Sequence, residues 1–238
     1  MTAPLVLLPG MNCTGDLWTN TGLDTEGGTI RPVLDRPALR EQIAELMRVL
    51  PPRVVLVGHS LGGIVAMAFA LAAPERVEGL CLVSTNAKAP TVAQRDGWRA
   101  WIDRLDAGAS PRALQQEIIE PLLGAEVTAD RPDLAERTLV MGEETGAVTL
   151  RAQLEMQLTR VDLLSRLSAL RMPTLVVSGL DDVICPPHFH TEIVGEVDGA
   201  RLVSLDAGHL LPLERPHEFG DLVRSWRSQQ LRPAAVGA

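Results

Sequence analysis

The 238-residue sequence contains no tyrosine, only three phenylalanines and only four tryptophans. The lack of tyrosine excludes any chemistry built on a phenolic acid or a phenolic oxyanion donor. Cysteine is also scarce. Cys13, Cys81 and Cys185 are widely spaced and form no C-x-x-C pair, so no disulfide framework is expected and a reducing compartment fits. Basic residues number 22 against 30 acidic ones, and the formal net charge of −8 argues against nucleic acid, which demands a basic footprint. Long apolar runs are missing. "PLVLLPGM" near the amino end is too short to span a bilayer and has no basic segment before it. These absences together predict a cytoplasmic protein with neither membrane nor nucleic-acid partners. No internal repeat and no low-complexity tract is visible.

The remaining composition is that of a folded globule. Apolar residues make up 46% and charged residues 22%, and the length gives ample material for a core. "APLVLL" (3–8) reads as a buried strand ended by Pro9-Gly10, and "TIRPVLD" as a short strand. Arg40 to Leu50 reads as a helix, "RVVLVG" as a buried strand, and Leu61 to about Ala73 as an apolar helix. "VEGLCLVST", "MPTLVVSG" and "ARLVSL" are further strands, and a helix is expected over about 213–229. Strands alternating with helices predict an α/β fold with a parallel sheet covered on both faces.

Residues 88–170 break the alternation with helical periodicity alone. Trp98, Trp101, Ile102 and Leu105 follow the i, i+3, i+4, i+7 rule. So do Leu150, Leu154, Leu158 and Val161, while Leu114, Ile118 and Leu122 mark a short helix. The expected organisation is a core of 1–87 and 171–238 with a helical lid inserted at 88–170. "RPAAVGA" at the carboxyl end reads as a frayed tail.

The oddest junction is Gly58-His59-Ser60-Leu61-Gly62, a G-x-S-x-G pattern between an apolar strand and an apolar helix. Two glycines at a helix start cost about 1 kcal/mol each relative to alanine, so the backbone must need them. A sharp strand-to-helix turn explains the need: side chains two positions from the centre would collide. Ser60 Oγ is then presented at the carboxyl edge of the sheet, and the Leu61 N–H becomes a donor to an oxyanion. The competing reading is a glycine-rich turn with an incidental serine.

A serine needs a base, and the base needs an orienting acid. Of five histidines, His209 follows the last strand directly and opens on the edge that carries Ser60. His59 lies in the turn itself, His217 falls on an exposed helix start, and the H-x-H pair His188 and His190 lacks the partners of a metal site. For the acid, "SGLDDVICPP" offers Asp181 and Asp182 after the preceding strand; one is the orienting acid and the other a turn residue.

These stretches resemble the α/β-hydrolase superfamily, in its lid-bearing serine esterase/thioesterase-like branch, over nearly the whole chain. The resemblance rests on "LLPG" with Trp18 downstream, on "VGHSLGG", on "SGLDDVICPP" and on "GHLLPLERP". The family's acid loop, G-x-x-D-x-x-x-P, is matched by Gly179, Asp182 and Pro186, which implies Asp182 as the acid. Its histidine loop, G-H-x-x-x-x-E-x-P, is matched by Gly208, His209, Glu214 and Pro216. The family's second oxyanion donor is the backbone N–H that here belongs to Met11. Two departures are present: Pro9-Gly10 stands where most members have His-Gly, and the segment before the first core helix is compressed to "RPVLDRPAL". A trimmed sheet of about six strands is therefore implied.

The expectation is a serine hydrolase acting on a small acyl substrate through Ser60, His209 and Asp182, with no cofactor and no metal. "LPGMNCTG" is not G-x-G-x-x-G, and "GHSLGG" lacks the Gly-Lys of a P-loop. Trp98, Trp101, Met141 and Met156 are candidates for the substrate wall, though apolar stripes are more often core. A roof with few cations predicts an uncharged acyl chain of small to medium size. Fold alone leaves other functions open. These are a ligand-binding or receptor-like protein, a non-hydrolytic biosynthetic member, a C–C bond hydrolase or an acyltransferase.

Overall fold

A computed structural model describes residues 3–230; the predicted tail "RPAAVGA" lies outside them. Five runs rich in Val and Leu form one sheet: β1 (Leu5–Leu8), β2 (Val54–His59), β3 (Val77–Val83), β4 (Thr174–Gly179) and β5 (Arg201–Leu205). The strands lie in the order β1-β2-β3-β4-β5, and every pairing is parallel. Both faces are covered. Val54 and Leu56 of β2 join one core cluster and Val55 and Val57 the other, which is why these strands read as unbroken apolar runs. β5 is an exposed edge strand; among its residues only Leu205 is buried.

The sixth strand expected at "TIRPVLD" is reduced to a single parallel bridge between Val6 and Ile30. Ile30 exchanges two hydrogen bonds with β1, at 2.8 and 2.9 Å. Pro32 then removes the next ladder donor and ends the pairing.

One face is covered by α1 (Leu39–Val49), α2 (Leu61–Ala72) and α8 (Pro187–Glu196). α1 buries Leu39, Ile43 and Leu46, the stripe of an amphipathic helix. α2 is apolar nearly all round and correspondingly buried. The other face is covered chiefly by α10 (Pro216–Gln230) through Phe219, Val223 and Trp226. A short helix, α9 (Leu211–Glu214), precedes α10, with Arg215-Pro216 separating the two.

Between β3 and β4 every element is helical: α3 (Val92–Asp106), α4 (Pro111–Glu117), α5 (Ile119–Leu123), α6 (Ala125–Asp130), α7 (Pro132–Leu158) and one 3₁₀ segment, Leu164–Ala169. Leu105, Leu114, Leu150 and Leu154 form their own small cluster, with Trp98, Trp101 and Ile102 packed against it. Three details depart from the periodicity. Leu114, Ile118 and Leu122 do not share one helix, because Pro121 cannot donate to the Glu117 carbonyl and the chain breaks at Ile118. Gly146, at φ 75°, kinks α7. The α7 stripe stops at Leu158, leaving Val161 in exposed coil.

Candidate active site

Ser60 sits between the end of β2 and the start of α2 with φ 50° and ψ −114°, in the left-handed region that a non-glycine residue enters only when its surroundings force it. The forcing contacts are visible. The Ser60 N–H donates to the Val83 carbonyl at 2.9 Å, and its own carbonyl accepts from Gly63 N–H at 2.9 Å and Thr85 Oγ1 at 2.8 Å. A Cβ at Gly58 would collide with the Gly62 carbonyl, and one at Gly62 with the Leu8 carbonyl. Close backbone approach therefore accounts for both glycines.

The loop after β5 carries His209 and the loop after β4 carries Asp182. The Ser60 hydroxyl lies 3.1 Å from His209 Nε2, and His209 Nδ1 lies 2.9 Å from Asp182 Oδ2. The other Asp182 oxygen accepts from the N–H groups of Ile184 (2.9 Å) and Cys185 (2.8 Å). Burial acts to raise the Asp182 pKa, but His209 and the two amides outweigh it and hold the carboxyl below its usual range. Asp181 beside it is exposed.

Leu61 opens α2, so its N–H has no carbonyl one turn back to bond. Met11 lies inside the turn that Cys13 N–H closes on the Gly10 carbonyl at 3.3 Å. Residues of both positions border Ser60, Met11 through the cavity it helps to line.

The carboxyl ends of all five strands meet one cavity of about 290 Å³. Gly10 and Met11 come from the exit of β1, Ser60 from β2, Thr85 and Asn86 from β3, Cys185 from β4, and His209 from β5. The helices between β3 and β4 close it from the other side with Trp98, Trp101, Ile118, Leu122, Gln157 and Arg160. Trp98 and Trp101 thus stand in its wall. Met141 and Met156 do not; both are fully buried in the two sheet-facing clusters, where their thioethers fill core space. Burial pushes the Cys13 and Cys185 thiols up to about 12, so these lining cysteines stay protonated.

Four buried groups near the site have partners that the sequence motifs do not announce. His59 Nε2 lies 2.8 Å from the His209 carbonyl. Asn12, at φ 56°, ties the β1 exit to the helical segment: its N–H donates to Gln153 Oε1 and its Nδ2 to Gln115 Oε1, both at 2.8 Å. Arg160 lies in the cavity wall. His190 accepts the Thr85 N–H at 3.0 Å, which occupies it apart from His188. Glu214, already marked by the histidine-loop motif, accepts the Gly208 N–H at 2.9 Å, and burial raises its carboxyl to about 7. Among the described residues no group of three or more His, Cys, Asp or Glu side chains could hold a metal ion, and no helix is long and apolar enough to cross a membrane.

A parallel sheet flanked by helices, with a serine turn at the carboxyl edge, is the architecture of the α/β hydrolases. Residues 5–222 match the family model described as "Alpha/beta hydrolase family", and the chain belongs to that family. The chain is 31% identical over 180 residues to a pimeloyl-[acyl-carrier protein] methyl ester esterase of Nitrosomonas europaea, covering 71% of this chain and 69% of that one. It is 27% identical over 211 residues to the pyrrolizixenacetamide deacetylase of Xenorhabdus hominickii, covering 88% and 77%. In fold it is similar to a thermophilic esterase from Thermogutta terrifontis, with a TM-score of 0.84 at 24% identity over 95% of this chain and 90% of that one.

Proposed function

We propose that this protein hydrolyses a carboxylic ester or related acyl bond of a small, largely apolar substrate through an acyl-enzyme. The observation that carries the reading is the pair of hydrogen bonds running from Ser60 Oγ through His209 to Asp182, at 3.1 and 2.9 Å. In this scheme His209 Nε2 takes the hydroxyl proton as Ser60 Oγ attacks the carbonyl carbon. Asp182, ionised, holds the Nδ1–H tautomer and stabilises the imidazolium that forms. The N–H groups of Leu61 and Met11 receive the oxyanion. His209 returns the proton to the leaving group, then activates the water that releases the acid and frees Ser60. Every proton is carried by this chain's own residues.

The apolar wall of Met11, Trp98, Trp101, Ile118 and Leu122 supports an acyl chain as the bound group. The names of two relatives, a methyl ester esterase and a deacetylase, agree with acyl transfer to water. Residues 88–170 act as a lid over a core of 1–87 and 171–238, and three buried free cysteines fit a reducing, cytoplasmic setting.

Incubation with a fluorophosphonate probe, followed by mass spectrometry, tests the scheme. The expected adduct is on Ser60 and is lost in Ser60→Ala and strongly slowed in His209→Ala. A folded protein that takes no label and turns over no simple ester overturns it.

A further inference from the structure

Among the described residues, Arg160 is the only arginine or lysine that is buried, at 6% exposure. It follows α7 by two residues, and it is one of the residues that line the cavity. A buried cation ordinarily has a carboxylate beside it, because leaving water without a counter-charge is expensive. Arg160 has none among the described residues. Its partners are neutral oxygens: Gln157 Oε1 at 2.9 Å, Asn86 Oδ1 at 3.0 Å and the Lys88 carbonyl at 2.6 Å. Asp182 and Glu214, the two buried carboxylates, are committed to His209 and Gly208. The nearby Lys88 ammonium has its own carboxylate, Glu192, at 2.6 Å.

Three hydrogen bonds use three of the five guanidinium N–H donors. They fix the plane of the group without neutralising its charge. The Trp98 ring, centred 5.8 Å from the guanidinium carbon, shields it further from water. Asn86, Gln157 and Trp98 all line the same cavity as Ser60 and His209. Burial pulls the guanidinium down to about 10, so it is charged at neutral pH.

We propose that Arg160 forms a carboxylate subsite, so that the acyl substrate carries one anionic carboxylate at the end remote from the scissile carbonyl. The proposal rests on the acyl-transfer reading and narrows its substrate class: a largely apolar chain with an ester at Ser60 and a carboxylate at Arg160. A single cation with neutral partners balances one negative charge, which favours a carboxylate over a doubly charged phosphate. The alternative is that Arg160 only ties the end of α7 to the loop after β3, a tie that needs hydrogen bonds but no charge.

Two methyl-ester series with the same acyl chain separate these readings, one ending in a carboxylate and the other in the neutral carboxamide. Wild type is expected to prefer the carboxylate by about tenfold or more in kcat/KM. In Arg160→Gln that preference ratio collapses, and in Arg160→Lys part of it returns. A ratio that is unchanged in Arg160→Gln, with both esters slowed in parallel, marks a structural tie and overturns the proposal. Calorimetric titration of Ser60→Ala with the same two esters needs no turnover and no change at Arg160. Tighter binding of the carboxylate ester supports the subsite even if the acyl-transfer reading fails; equal or weaker binding rejects it even if Ser60 takes the probe.

Discussion

His59 and His209 are joined side chain to backbone: His59 Nε2–H donates to the His209 carbonyl at 2.8 Å, and the two rings lie 5.0 Å apart. A carbonyl only accepts, so Nε2 carries the proton and Nδ1 is a bare lone pair against Gly10. Burial first, and the proximity of His209 second, push the His59 pKa down to about 3. His190, also buried, is pushed down to about 4. In the unfolded chain both titrate near 6.5. As the pH falls below that value the unfolded state binds protons first, so stability is lost progressively toward about pH 3 to 4. Urea midpoints are expected to fall between pH 7 and pH 4.5, and to fall less steeply in His59→Gln, which keeps a donor but cannot titrate. An identical slope in that variant rejects His59 as a source of the acid sensitivity.

Asp181 and Asp182 are neighbours with opposite surroundings. Asp182 is 2% exposed and accepts three hydrogen bonds, while the Asp181 side chain faces solvent. Asp182→Asn would set an NH₂ or a neutral oxygen against His209 Nδ1 and disturb its tautomer. On the proposed mechanism kcat falls by about 10⁴-fold. Asp181→Asn is expected to leave kcat close to wild type. Steady-state kinetics on one activated ester ranks the two, and the reverse order would remove Asp182 as the orienting acid.

What could be read in advance, and what could not, follows from how local each signal is. The turn around Ser60 announces itself because close backbone contacts demand Gly58 and Gly62. The five parallel strands announce themselves as continuous Val and Leu runs because both sheet faces are covered. The stripes of α3 and α7 were legible as stripes, yet periodicity names a buried face without naming its neighbour. Thus Trp98 and Trp101 border the cavity while Met141 and Met156 fill the core. The strand expected at "TIRPVLD" shrank to one bridge because a single proline outweighs the propensity around it. Arg160 gave no signal at all. Its burial comes from Asn86, 74 residues away in sequence, and from a tryptophan on another helix. The expectation of a roof with few cations therefore did not single out Arg160, the one arginine or lysine among the residues lining the cavity.

Gly10 marks how tightly the β1 exit is packed on the serine turn. A Cβ there would lie 2.6 Å from His59 Nδ1 and 3.4 Å from Ser60 Cβ. Relief requires His59 to tilt, which strains its bond to the His209 carbonyl, or the loop carrying Met11 to withdraw from Ser60. Gly10→Ala is expected to lower kcat by about tenfold to a hundredfold, as displaced oxyanion donors do. A stability loss of about 1–3 kcal/mol from overpacking accompanies it. Measuring kcat alongside urea unfolding checks both; a variant that is destabilised yet keeps full kcat would mean that the β1 exit does not shape the oxyanion site.

Glu214 is a buried acid whose pKa moves the opposite way from that of Asp182. Its Oε2 accepts the Gly208 N–H, but Oε1 has no partner, and burial lifts the group to about 7. The folded pKa is raised above the unfolded value of about 4.3, so folding favours the protonated form. The stability that the protonated form contributes is lost as the pH rises from about 4.3 through about 7, where the folded state takes on a buried charge, a loss on the order of 1–3 kcal/mol. Glu214→Gln keeps an acceptor for Gly208 and cannot ionise. Its stability relative to wild type is therefore expected to rise from pH 6 to pH 9, whereas Glu214→Ala, which strands the Gly208 N–H beside His209, is less stable at every pH. Thermal or urea unfolding of the three proteins across that range decides the matter. A Glu214→Gln curve running parallel to wild type would show that the carboxyl is already ionised at pH 6 and that its charge is stabilised by its surroundings.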